Sequence, residues 1–243
     1  MKTPTIIKNH YWLHQTLSAF YRWLTVDGDD IRYITQRPVI DSIIEMEQGG
    51  KMLDCGCGLG MYQKRMRQRS PQVWAMDIQE TNLKYCLREK LITNEAIRGD
   101  TSFLPFATDV FDTVLCSEVI EHISDDRQAV SELARVLKTG GRLILSVPVP
   151  PGNIDEDAYG HKREGYSPEN LRLLLQGQGF SVRSVKFCFF SWSRLVMKVL
   201  AWHVRCFKIN PSRLILIPVW LERFLGIKSS PHDMVVLAVK EGR

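Results

Sequence analysis

The chain has 243 residues, 44% apolar and 24% charged, with a formal charge of +5, a composition that fits one well-cored globular domain and excludes wholesale disorder. Its cysteines, Cys55, Cys57, Cys86, Cys116, Cys188 and Cys206, form no CxxC pair, which speaks against a zinc ribbon or disulfide framework and for a reducing, cytoplasmic setting. The basic residues Arg194, Lys198, Arg205, Lys208, Arg213, Arg223 and Lys228 crowd into 191–230 against Glu222 alone, so the positive charge belongs to one segment and implies no general nucleic-acid surface.

Met1 to Trp12 is polar and lacks a secretory h-region. Residues 10–47 read as two helices separated by Val26-Asp27-Gly28-Asp29-Asp30, the first carrying Tyr11, Trp12, Phe20, Tyr21 and Trp23. From residue 50 strands and helices alternate. Strands are expected at Lys51–Cys55, Val73–Asp77, Glu95–Arg98, Val110–Cys116 and Arg142–Val147, with helices at Met61–Arg69, Thr81–Glu89 and Asp126–Lys138, the last stopped by Gly140-Gly141. A helix at Pro168–Gln176 follows, ended by Gly177 and Gly179, then strands at Phe180–Phe190 and Met234–Val239. The alternation predicts an α/β fold with a seven-stranded, doubly wound, mostly parallel sheet and helices on both faces. The last two strands are expected to pair antiparallel at its edge. The expected organisation is an N-terminal helical lid (1–49), a ligand-binding core (50–190), a basic amphipathic helical insert (191–230) and a final edge strand (231–243). No uncharged apolar run reaches the ~20 residues of a membrane span, and Leu214–Leu221 is interrupted by Pro218.

The strongest local pattern is Leu53-Asp54-Cys55-Gly56-Cys57-Gly58-Leu59-Gly60. Alternate glycines let the backbone turn sharply off a strand and approach a ligand, where the next helix presents its free N–H groups. Asp77 stands 21 positions after Gly56, near the spacing at which a carboxylate reaches a ribose diol in doubly wound folds. A nucleoside-containing ligand is implied. The dinucleotide pattern would need glycine where Met61 stands, and an acid at Asp54 suits a cationic ligand better than a pyrophosphate.

With these residues the chain resembles the class I S-adenosylmethionine-dependent methyltransferases of the type 11 kind, which have a Rossmann-like fold. Further blocks match in order: Gly99-Asp100-Thr101 with Leu104-Pro105-Phe106, Phe111 to Glu118, and Gly140-Gly141-Arg142-Leu143. The resemblance covers roughly residues 50–180 and implies S-adenosyl-L-methionine as cofactor, with S-adenosyl-L-homocysteine as product. It implies that Asp54, Gly56, Gly58 and Gly60 surround the methionine part, and that Ser117 lines the methyl-donor pocket. Asp77 would take the ribose hydroxyls, Ile78 would lie beside the adenine, and Asp100 and Thr101 would hold the adenine edge.

After the fourth strand comes Ser117-Glu118-Val119-Ile120-Glu121-His122. His122 reads as a general base, imidazole being the side chain suited to proton abstraction near neutral pH, or else as a residue that packs the loop. Glu118, Glu121 and His122, with His161 in a later loop, resemble the metal-binding set of small-RNA 2′-O-methyltransferases and of the O-methyltransferases of ubiquinone biosynthesis. A divalent ion there would lower the pKa of an acceptor hydroxyl. The loop from Pro148 to Tyr166 offers Tyr159, His161 and Tyr166 as acceptor-site candidates, because ligands of such sheets bind at the carboxyl ends of strands.

On a helical wheel, Trp192, Leu195, Val196, Val199, Leu200, His203, Cys206 and Phe207 share one face, with Arg194, Lys198, Arg205 and Lys208 opposite. That pattern fits either a domain helix or one lying at a membrane surface. Trp12, Trp23, Trp192, Trp202 and Trp220 all lie in the N-terminal helices or this insert. A hydrophobic lid is therefore expected, with a small or lipid-like, partly apolar acceptor methylated at oxygen. Three other functions compete: a divalent-metal-assisted RNA 2′-O-methyltransferase, a non-catalytic donor-binding protein and, more remotely, a dehydrogenase.

Overall fold

A computed structural model of the chain describes residues 28–47, 49–92, 96–150, 161–190, 195 and 230–242. The chain divides into two compact units, one of residues 1–35 and 189–230 and one of 36–188 and 231–243. In the first unit the described residues include the opening turns of helix α1 (Gly28–Ile44). The first N-terminal helix, Tyr159 and nearly all of the basic insert lie outside the described residues.

The second unit carries the sheet. Strand β1 (Lys51–Cys55) is buried from its second residue onward, and helix α2 (Gln63–Arg69) leads on to β2 (Gln72–Asp77). Next come α3 (Glu80–Arg88), the short β3 (Ala96–Arg98) and β4 (Phe111–Ser117). After a single helical turn, Ile120–His122, helix α4 (Asp126–Val136) begins where Asp125 accepts a bond from the Gln128 N–H at 3.0 Å, a side-chain cap on a free helix donor. Strand β5 (Leu137–Pro148) follows directly. Helix α5 (Pro168–Gly177) is set by its Ser-Pro start, with Ser167 capping the Asn170 N–H at 3.1 Å. Strands β6 (Phe180–Phe190) and β7 (Pro231–Lys240) complete the sheet.

The seven strands run in the order β3-β2-β1-β4-β5-β7-β6. β1 is parallel to β2 and β4, β2 to β3, and β4 to β5, while β7 runs antiparallel to β5 from Arg142↔Val239 to Pro148↔Asp233. The antiparallel last strand is as expected, but its place is not. β7 lies between β5 and β6, so the edge belongs to β6. The order reverses between β1 and β4, and ligands of such sheets lie at the carboxyl ends of the strands flanking that reversal. The core of the sheet is apolar: Leu53, Phe111, Val114, Leu133, Leu143 and Leu145 are fully buried, and Trp74 and Phe106 pack edge-on against Phe111.

One boundary differs in an informative way. Helix α4 ends at Val136 rather than Lys138, and Gly140-Gly141 sit inside β5 rather than ending the helix. The pairing jumps from Phe111↔Leu137 to Thr113↔Arg142, a bulge that needs the positive φ of Gly140, +79°. Lys138 uses the bulge to reach the Asp112 carboxylate at 2.7 Å.

Candidate functional site

The site begins where β1 ends. The Gly56 and Cys57 N–H groups donate to the Met76 carbonyl at 2.8 and 2.9 Å, which folds the chain back over the end of β2. Gly56 has φ +77°, and a Cβ there would collide with Val119, so only glycine fits. Gly58, at φ +49°, opens onto free space with nothing within 4 Å of a notional Cβ. A ligand can approach the backbone at that point.

Asp77, at the end of β2, faces this turn. Its Oδ2 accepts from the Gly58 N–H at 2.8 Å, and its Oδ1 accepts from the Gln79 N–H at 2.8 Å and from Asn82 Nδ2 at 3.2 Å. The turn and the acid named from spacing therefore form one structure. Asp54 is 2% exposed and accepts from Gln63 Nε2 at 2.7 Å. Burial pushes its carboxyl up to about 7, the Gln63 bond opposes that rise, and the nearby Asp77 charge adds to it. A cation bound here would favour the ionised form.

Beside Asp77 the surface turns apolar. Ile78 is 60% exposed, with Leu59 at 50% and Phe103 at 72%, each an apolar side chain that a flat aromatic base would cover. Asp100 bends its loop by accepting from the Ser102 N–H at 2.8 Å, and Phe103 N–H donates to the Asp100 carbonyl at 3.0 Å. Thr101 is buried with its hydroxyl 3.4 Å from Cys55 Sγ, so its side chain faces the core, and only its backbone is left for a ligand. Leu59, Gln63 and Phe103 escape sequence reasoning. The signal for the two apolar residues is a large side chain inside a polar turn, but exposure is a tertiary property.

At the end of β4 the expected four-residue cluster splits. Glu121, His122 and His161 have ligand atoms within 4.8 Å of one another, and the His122 and His161 rings meet edge-on at 4.3 Å. Glu121 is fully buried, with Oε1 3.8 Å from His122 Nε2. One carboxylate and two imidazoles suit a divalent transition ion. Glu118 instead turns to Gln36 and Ser146: its Oε1 accepts from Gln36 Nε2 at 3.0 Å and Ser146 Oγ at 2.9 Å. Ser117 Oγ joins the same network, 3.0 Å from Ser146 Oγ.

His161 is carried by a segment clasped to this turn. Lys162 N–H donates to the Glu121 carbonyl at 2.9 Å, while Arg163 Nη1 donates to the Ile120 carbonyl at 2.8 Å and Nη2 to the Ser124 carbonyl at 3.0 Å. Tyr166, expected at the acceptor site, is part of the clasp. It is buried, accepts from Arg163 at 2.7 Å and donates to Asp126 Oδ2 at 3.0 Å. Burial and the Asp126 charge both raise its phenol pKa. With its hydroxyl engaged on both sides, its place is structural.

The chain is similar to known proteins in sequence and in fold. Residues 53–145 match the family described as Methyltransferase domain. Over 133 residues the chain is 32% identical to the ubiquinone biosynthesis O-methyltransferase of Idiomarina loihiensis, a match covering 51% of this chain and 55% of that one. It is 30% identical over 135 residues to the malonyl-[acyl-carrier protein] O-methyltransferase of Erwinia pyrifoliae, covering 54% and 51%. The chain thus spans about half the length of these curated relatives. Among solved structures, an S-adenosylmethionine-dependent methyltransferase from Mesorhizobium loti superposes with a TM-score of 0.62 at 18% identity, over 84% of this chain and 97% of that one. The MccD protein does so at 0.63 and 18%, over 84% and 96%.

Proposed function

We propose, for a chain that carries a class I S-adenosylmethionine-dependent methyltransferase domain, that it moves a methyl group from S-adenosylmethionine to a hydroxyl of a small or lipid-like, partly apolar acceptor. The observation that carries this reading is the Asp77–Gly58 contact of 2.8 Å. It supports the reading because a carboxylate that could bind a ribose diol then lies against a backbone turn at the reversal point of the sheet. The bound donor supplies a methyl group made electrophilic by a positively charged sulfur.

The chain's part is then alignment and exclusion of water. Asp77 would hold the ribose, Ile78 and Phe103 would cover the base, and Asp54 would counter the donor's cationic end. Transfer to a hydroxyl would require a base to take the proton that the hydroxyl gives up. His122, 37% exposed at the end of β4, is the residue proposed for that proton. Oxygen as the acceptor atom is supported by the relatives, both named as O-methyltransferases.

The grouping of Glu121, His122 and His161 favours a second version of the same chemistry. In it these three residues would hold a divalent ion, which would supply Lewis-acid activation of the acceptor hydroxyl, as the RNA 2′-O-methyltransferase alternative also requires. Transfer from methyl-labelled donor separates these readings, using an alkyl-chain catechol and a short RNA duplex as acceptor probes. A small, partly apolar acceptor predicts label in the catechol at any ionic strength. Label confined to RNA and falling steeply with salt would overturn that reading, and loss of transfer on chelation would select the metal version.

A further inference from the structure

Glu118 stands in an unusual backbone state for its residue type. Its φ is +55°, a left-handed conformation disfavoured by any side chain and found where surrounding structure enforces it, often beside functional sites. Here two contacts enforce it: the Glu118 N–H donates to the Ser146 carbonyl at 3.0 Å, and the next residue, Val119, packs against Gly56. The carboxylate is aimed by partners outside the glycine turn. Gln36, 2% exposed on α1, donates to Oε1 at 3.0 Å, and Ser146, fully buried on β5, donates to the same atom at 2.9 Å.

Position gives this arrangement a purpose. Cys55 pairs with Cys116 across β1 and β4, so the glycine turn and Ser117 to Val119 leave the sheet side by side. A donor whose ribose meets Asp77 has its nucleoside on the β2 side of β1. Its sulfur end would then lie on the other side, toward the junction of β1 and β4 where Glu118 stands. We infer that Glu118 distinguishes the donor from its spent form by the charge on sulfur, and that Gln36 is the positioning residue that aims its carboxylate.

The inference rests on the donor reading of the glycine turn and Asp77. Methyl transfer turns a positively charged sulfur into a neutral thioether, so a fixed carboxylate beside it attracts S-adenosylmethionine more than S-adenosylhomocysteine. It holds the incoming donor and loosens once the methyl has left. Gln36 lies on α1, outside the 53–145 segment that matches the methyltransferase family.

The test is the affinity of both ligands, measured separately by calorimetry on the full-length protein and on Glu118→Gln and Gln36→Leu. Glu118→Gln keeps size and an accepting oxygen while removing the charge. It should weaken S-adenosylmethionine roughly tenfold and leave S-adenosylhomocysteine within about twofold. Gln36→Leu should shift the ratio the same way by a smaller factor, with retained S-adenosylhomocysteine binding showing that it is folded. If Gln36→Leu loses both ligands, Glu118→Gln decides alone. Equal losses for both ligands in Glu118→Gln, or no loss, overturn the inference. Wild-type protein that binds neither ligand overturns the donor reading, and this inference with it.

Discussion

Asp54 is held under strain that a single atom exchange should release. Its carboxyl is 2% exposed and shifted by burial from 3.8 to about 7. The native state therefore binds this proton more tightly than the unfolded chain does. Below pH 3.8 the group is neutral in both states and costs nothing; as pH rises toward 7 the native state keeps a proton that the unfolded chain has lost, and stability falls until the cost is complete. At about 1.4 kcal/mol per tenfold in proton affinity, the full cost is at most about 4 kcal/mol, of which about 2–3 kcal/mol develops between pH 5 and 8. Asp54→Asn keeps the shape and an oxygen for Gln63 Nε2, 2.7 Å away, but cannot ionise. Urea unfolding of the ligand-free protein and of this variant should show the variant gaining on the parent as pH is raised from 5 to 8. A difference that is flat with pH, or a variant that loses ground above pH 7, would refute the assignment of the cost to this carboxyl.

Other perturbations read different parts of the site. Asp77→Ala removes an acceptor of three bonds around the glycine turn and should weaken S-adenosylhomocysteine binding by ~1–3 kcal/mol, with unchanged calorimetric affinity arguing against the placement. Gly56→Ala meets Val119 at a φ of +77° and should lose about 2 kcal/mol or more of stability; Val119→Ala in the same chain should restore only part of it, since the backbone penalty remains. His122→Ala should slow methyl transfer while leaving S-adenosylhomocysteine affinity nearly normal, whereas an undiminished rate returns the residue to packing. Tyr166→Phe should lower the thermal midpoint through a loss of ~1–2 kcal/mol, because Asp126 loses the donor and Arg163 one of the acceptors that the buried hydroxyl supplies.

The legible parts of this fold are those written in short-range chemistry. Lys51–Cys55 and Phe180–Phe190 stand out as apolar or alternating runs and form β1 and β6 with those same bounds. The turn at 54–60 and Asp77 are readable because glycine and carboxylate spacing are local consequences of a strand–turn–helix–strand path. What cannot be read depends on distant partners. The helical pattern of α4 continues through Leu137 and Lys138, yet pairing of Leu137 with Phe111 wins those residues for β5. Nothing in Pro231–Lys240 says that it inserts between β5 and β6, since register with Arg142–Pro148 decides that. Tyr166 looks free for an acceptor in the sequence because its partner Asp126 lies 40 positions away. Proximity in sequence groups Glu118 with Glu121 and His122, while Gln36, 82 positions earlier, holds it elsewhere.

Everything proposed for the site depends on the glycine turn and Asp77 closing together on an adenosyl group. Calorimetric titration of the full-length protein with S-adenosylhomocysteine measures that directly, with Asp77→Ala titrated alongside. The expected result is saturable one-to-one binding by the parent protein and clearly weaker binding by the variant. A folded parent protein that takes up no ligand at millimolar concentration would contradict the account.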